Sequence, residues 1–75
     1  MVKPTRVTND IRALRFAAGE MTQAELAERI GVTRQTVIAI EQERYSPSLE
    51  LAFQIARVFE VPLDAVFHYP EGDAS

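Results

Sequence analysis

Apolar residues recur at helical spacing from about residue 9 to residue 69, and no stretch alternates convincingly as a half-buried strand would. Ile11, Leu14 and Ala18 share one face, predicting a first helix from Asn9 or Asp10 to Ala18, with Gly19 suited to its end. Thr22 and Glu25 have capping-box spacing and open a second helix, whose inner face is Leu26, Ala27 and Ile30 and whose stop is Gly31. Thr33 caps a third helix, about Arg34 to Glu43, with Val37 and Ile40 pointing inward. Ser46 and Pro47 read as the N-cap and first-turn proline of a fourth helix. That helix carries Leu49, Leu51, Ala52, Phe53, Ile55, Ala56, Val58 and Phe59, and its one polar stripe is Glu50, Gln54 and Arg57. So apolar a helix is expected at the centre of the core. Val61-Pro62 breaks it, and Leu63 to Phe67 gives a short fifth helix.

The pattern predicts a compact all-α, five-helix domain over residues 9–69. Residues 1–8 read as a flexible arm around Pro4, and residues 70–75 (PEGDAS) as a polar tail. A chain of 75 residues makes one domain at most, burying about 60% of the surface its unfolded form exposes. It has no cysteine, which excludes disulfides, thiolate metal sites and thiol nucleophiles. No stretch approaches the roughly 20 apolar residues of a spanning helix, and the polar N-terminus lacks the apolar run of a signal peptide. A soluble, cytoplasmic protein with no membrane partner is expected.

Charge changes the picture in a less obvious way. The net charge of −3 argues mildly against a nucleic-acid partner. Its distribution softens the objection, because residues 1–44 hold seven of the eight basic side chains. After Tyr45 only Arg57 is basic, against Glu50, Glu60, Asp64, Glu71 and Asp73. A basic end and an acidic end can coexist on one domain, with an anionic partner meeting only the first.

The strongest motif joins the second and third helices. Only Gly31, Val32 and Thr33 separate them, so the two helices must meet at a steep angle. Such a unit needs a small residue at the crossing, Ala27, and one tolerant of positive φ at the turn, Gly31. Leu26, Ile30, Val32, Val37 and Ile40 supply the apolar filling. This is the pattern of a helix-turn-helix, whose second helix enters the major groove of DNA. Arg pairs bidentately with guanine and Gln with adenine, while Ile38, Ala39 or the Thr36 methyl suits a thymine methyl. With Val37 and Ile40 turned inward, Arg34, Gln35 and Ile38 are expected to face outward.

The run TQAELAERIGVTRQTVIAIEQ closely resembles the helix-turn-helix of the Cro and lambda-repressor family, often called Xre-like. The likeness extends from about Asp10 through YSPSLELAFQIARVFEVPLDAVF. It implies a lambda-repressor-like DNA-binding domain acting as a transcriptional regulator, most simply a repressor, with double-stranded DNA as partner and no cofactor. By this resemblance Gln23 touches the DNA backbone, where a helix N-terminus also favours phosphate. Arg34, Gln35 and Thr36 match the base-reading positions, with Ile38 and Ala39 one turn on. Thr33, Gln42 and Arg44 flank them as further DNA-binding candidates. Arg15 and Glu41 match a pair that ties the first helix to the end of the third, a structural role. The sequence departs from the family where many members have Asn-Gly after this glutamate. Here Gln42-Glu43-Arg44 stands instead, setting a carboxylate near phosphate that Arg44 would have to offset. The Gly19-Glu20 turn is also one residue longer than common.

Blander readings compete at several positions. Outside this motif Arg34 and Gln35 would as readily be solvated surface, and Gln23 simply a tolerated first-turn residue. Lys3 and Arg6 fit a minor-groove or phosphate arm as well as an unstructured tail, and the tail is favoured. His68, the single histidine, has no partner at metal-ligand spacing. Phe53, Phe59, Phe67 and Tyr69 are core or dimer-contact residues before they are a ligand pocket. The carboxylates are scattered and form no nucleophile–base constellation, so no enzyme is expected and no catalytic or metal residue is named. One such motif reads only a few base pairs, so a homodimer is expected. Its interface is assigned to Val61, Leu63, Val66, Phe67 and Tyr69, residues that would equally close the monomer's core. The alternative function is an antitoxin-like or partner-binding module on the same fold, kept open by the acidic composition.

Overall fold

The computed structural model describes residues 5–70. Lys3, Pro4 and most of the expected polar tail lie outside the described residues. Four α-helices carry the domain: α1 (Ile11–Ala17), α2 (Gln23–Ile30), α3 (Arg34–Glu41) and α4 (Leu49–Phe59). The segment expected as a fifth helix is a single 3-10 turn at Leu63–Ala65. Its first residue follows Pro62, which offers no side-chain cap, and three residues are too few to propagate an α-helix unaided.

Two short strands flank the helices and were not expected. β1 (Thr8–Asn9) pairs antiparallel with β2 (Phe67–His68), matching Thr8 to His68 and Asn9 to Phe67. The Asp10 N–H continues the contact to the Val66 carbonyl at 2.9 Å. A two-residue strand shows no alternation, so periodicity cannot detect it. The pairing ties the start of the domain to its end. Thr8, assigned to the arm by sequence, is therefore part of the folded body.

Side chains from every helix meet in one core. Ile11, Leu26, Val37, Ile40, Ile55 and Val66 are all but fully buried, and Met21, Ala27, Ile30 and Ala56 complete the cluster. Val66 sits inside it, while Val61, Leu63 and Phe67 pack against its edge. Four of the five residues assigned to a dimer interface are thus engaged in the monomer, and Tyr69 alone stands exposed. The reason is geometric: the 3-10 turn folds this segment back over α4, where its apolar side chains cap the core.

α4 departs from expectation at both its start and its faces. Its N-cap is Ser48, whose Oγ accepts the Leu51 N–H at 3.1 Å, and not Ser46. From this start Ala52, Ile55 and Ala56 face inward. The helix is also not wrapped on all sides. Leu49 is 67% exposed and Phe53 51%, beside the polar stripe of Glu50, Gln54 and Arg57. Among the described residues no helix is long and apolar enough to cross a membrane.

The placement of this cap is directly testable. Ser48→Ala should lower unfolding free energy by about 1 kcal/mol, whereas Ser46→Ala should change it by only a few tenths. Urea denaturation followed by far-UV circular dichroism distinguishes them, and equal losses would put the cap elsewhere.

Candidate nucleic-acid interface

Local hydrogen bonds cap α2 at both ends and open α3. Thr22 opens α2 through a reciprocal capping box: its Oγ1 accepts the Glu25 N–H at 3.0 Å, and its own N–H donates to Glu25 Oε1 at 2.8 Å. Gly31 takes φ +74°, and the Val32 N–H returns to the Ala27 carbonyl at 3.0 Å, closing the helix. Two residues later Thr33 opens α3, its Oγ1 accepting the Thr36 N–H at 3.3 Å and lying 3.1 Å from Thr36 Oγ1. The N–H groups of Val32 and Thr36, on either side of the turn, are thus both paired.

Packing then sorts the residues of α3. Val37 and Ile40 are 1% and 2% exposed and fasten the helix to the body. Arg34 and Gln35 stand exposed on the first turn, while Thr36, Ile38 and Ala39 are half-buried. Ile38 is thus less free than its spacing suggested, because it lies on the flank of α3 and not at the crest. Thr33, Gln42 and Arg44 are exposed around this surface.

A buried polar network holds the far end of α3. Arg15 Nε donates to Glu41 Oε2 at 2.7 Å, and a second guanidinium nitrogen donates to Glu41 Oε1 at 3.1 Å. The third, Arg15 Nη1, reaches the Met21 carbonyl at 2.8 Å. The two side chains are only 9% and 8% exposed. Gln23 joins them, its Nε2 donating to Glu41 Oε1 at 3.2 Å. The amide expected to reach DNA is therefore turned inward in the free protein, and the network spans α1, α2 and α3.

Two contributors escaped the sequence reading. Asn9 Nδ2 donates to the Ile40 carbonyl at 2.9 Å, while its Oδ1 accepts the Ile11 N–H at 3.1 Å. It caps the entry to α1 and moors the end of α3 in one residue. An asparagine just before an apolar run is a visible capping signal, but its partner 31 residues away is not. Arg12 is the second. It lines a cleft with Gln23, Arg34 and Gln42 where α1, the start of α2 and α3 converge, and its guanidinium lies 5.6 Å from the Phe16 ring centroid. Its position three residues before Arg15 puts it on the neighbouring face of the same helix.

Beyond Glu41 the chain solves the missing glycine differently. Glu43 itself adopts φ +61°, and the Arg44 N–H donates to the Ala39 carbonyl at 3.0 Å. α3 ends at Glu41, two residues earlier than its pattern predicted, because this closure terminates it. A glutamate in the left-handed region carries a steric cost of roughly 1–2 kcal/mol that glycine would not.

A helix-turn-helix family profile matches residues 11–66. An uncharacterised HTH-type transcriptional regulator of Methanocaldococcus jannaschii is 47% identical over 57 residues, 76% of this chain and 86% of that protein. YgzD of Bacillus subtilis, another uncharacterised HTH-type transcriptional regulator, is 44% identical over 63 residues, 84% of this chain and 94% of its own length. A Bacteroides fragilis crystal structure superposes with a TM-score of 0.72 over 83% of this chain and 98% of the other. At 22% identity it is a likeness of fold.

The network and the glutamate closure each yield a measurement. Glu41→Ala should cost about 3 kcal/mol by leaving a buried guanidinium unpaired, and the Arg15→Met, Glu41→Leu double variant should lose less. Glu43→Gly should raise stability by about 0.5–1 kcal/mol, with no gain from Glu43→Ala, since only glycine relieves the positive φ. Thermal and urea unfolding check both.

Proposed function

The chain belongs to the Xre-like helix-turn-helix family, and on that footing we propose that it is a DNA-binding transcriptional regulator, a repressor, that reads duplex DNA with α3 in the major groove. One observation carries this reading. Arg34 and Gln35 project from the first turn of a helix whose opposite side, Val37 and Ile40, is locked into the core. Rigid placement of two bidentate side chains is what direct base readout requires. Thr36, Ile38 and Ala39 supply apolar edge contacts on the same helix. Thr33, Gln42, Arg44 and Arg12 bound the surface and meet phosphates, and the start of α2 at Gln23 offers backbone donors to another.

The acidic total does not oppose this reading, because Arg12, Arg34 and Arg44 lie on or beside this surface. Weak non-specific affinity follows from few phosphate contacts, so sequence-specific contacts carry most of the discrimination. One α3 spans only a few base pairs, and two copies related by a two-fold axis read half-sites about 34 Å apart. Repression needs only occupancy of promoter DNA, which binding itself supplies; activation would need a second surface for the polymerase. With duplex DNA as partner, the protein works in the cytoplasm.

Selection from random duplexes, followed by titration against the winning sequence, tests the proposal. Arg34→Ala and Gln35→Ala should each cost about 1–3 kcal/mol on that site and relax preference at one position. Arg12→Gln should weaken all sequences alike and reduce the salt slope by about one. Unchanged selectivity in both α3 variants would remove α3 from the groove.

A further inference from the structure

The outward face of α4 is complementary to itself. Leu49 and Phe53 sit one turn apart and exposed, and Glu50, Gln54 and Arg57 border them along a shallow depression. Among the described residues neither Glu50 nor Arg57 has an ion-pair partner. At 100° per residue the two lie within about 20° of one another around the helix, roughly 10 Å apart along it. The point midway between them falls at Phe53 and Gln54.

We propose that α4 is the homodimer interface, packing antiparallel against α4 of a second copy about a two-fold axis passing beside Phe53 and Gln54. In that arrangement residue i faces residue 107 − i of the other copy, so Glu50 meets Arg57 and Arg57 meets Glu50. The rings of both Phe53 residues meet at the centre, flanked by Leu49 from each copy. A two-fold interface must be the same patch on both partners, and an acid and a base equidistant from an apolar midpoint satisfy that condition. A parallel pairing would set Glu50 against Glu50 and Arg57 against Arg57. The charges thus select the antiparallel orientation as well as the occupant. A different protein partner would have no reason to mirror this face.

This interface supplies the dimer that the DNA-binding reading invokes, yet it stands or falls separately. Sedimentation equilibrium of the full chain up to several hundred micromolar measures it directly. The native chain should be a dimer, and Phe53→Asp should raise the dissociation constant by about a hundredfold or more, since the substitution enters the centre twice. Glu50→Arg should raise it about tenfold by opposing two like charges across the axis at each end. The Glu50→Arg, Arg57→Glu double variant should recover native dimerisation, a rescue that a mere loss of folding would not give. Circular dichroism confirms that each variant stays folded.

A native chain that remains monomeric throughout this range, or a dimer indifferent to Phe53→Asp, overturns the proposal. So does failure of the charge swap to rescue. A duplex carrying a single half-site separates the two readings. If Phe53→Asp still binds it while losing cooperative binding to the paired site, both stand. If the native protein dimerises through α4 but ignores duplex DNA, only the regulator reading fails.

Discussion

The domain depends on one buried ion pair. Arg15 and Glu41 connect the middle of α1 to the last residue of α3, and both charges are almost completely withdrawn from water. Such a pair adds little net stability, because desolvation nearly cancels the attraction. Its value is positional. Each nitrogen of the guanidinium has a defined acceptor, two on Glu41 and one on the Met21 carbonyl, so α3 has one low-energy placement relative to α1. Stability comes instead from the apolar side, where burying Val37 and Ile40 contributes roughly 1.5–3 kcal/mol each. Hydrophobic contact keeps α3 attached, and the ion pair decides where. A base-reading helix needs both, since a side chain misplaced by an ångström loses its hydrogen bonds.

What could be read from the sequence follows from the range of the interactions involved. Capping boxes, the left-handed glycine and the apolar rows act within five residues, and Thr22, Gly31, Thr33 and the α2–α3 unit could all be read from local spacing. The resemblance to a known family supplied Arg15 with Glu41, a contact 26 residues apart that no local rule predicts. Asn9 with Ile40 and the pairing of β1 with β2 are more distant still and had no such aid. The early end of α3 escaped for a different reason: the helix closes on a glutamate in the left-handed region, Glu43, where a sequence reading looks for glycine, and α4 closes the same way on Glu60. The backbone geometry is the usual one; the residue that marks it is not.

The apolar surface shows the same limit in another form. Composition alone put α4 at the centre of the core, and half of it is there: Ala52, Ile55 and Ala56 face inward. The C-terminal segment, assigned outward, instead closes the core with Val66. The two assignments exchange places because a small domain has only one interior. The turn brings Leu63 and Val66 onto the core, and Leu49 and Phe53 remain at the surface.

That surplus bears on how an acidic protein can recognise an acidic polymer. Non-specific attraction scales with the number of phosphates neutralised, and few basic side chains face the proposed groove surface. On the proposed reading discrimination then comes from Arg34 and Gln35, which would address only a short run of bases per copy. On that reading, affinity sufficient to occupy a promoter would come from two copies binding as one unit, so that the second engagement is effectively intramolecular. On the proposed reading the acidic half of the chain serves this arrangement: it would suppress unproductive binding along random DNA, while Glu50 and Arg57, set on either side of Phe53, would direct one copy to the next. In the proposed dimer, charge that would weaken a lone DNA-binding domain becomes the means of choosing its partner.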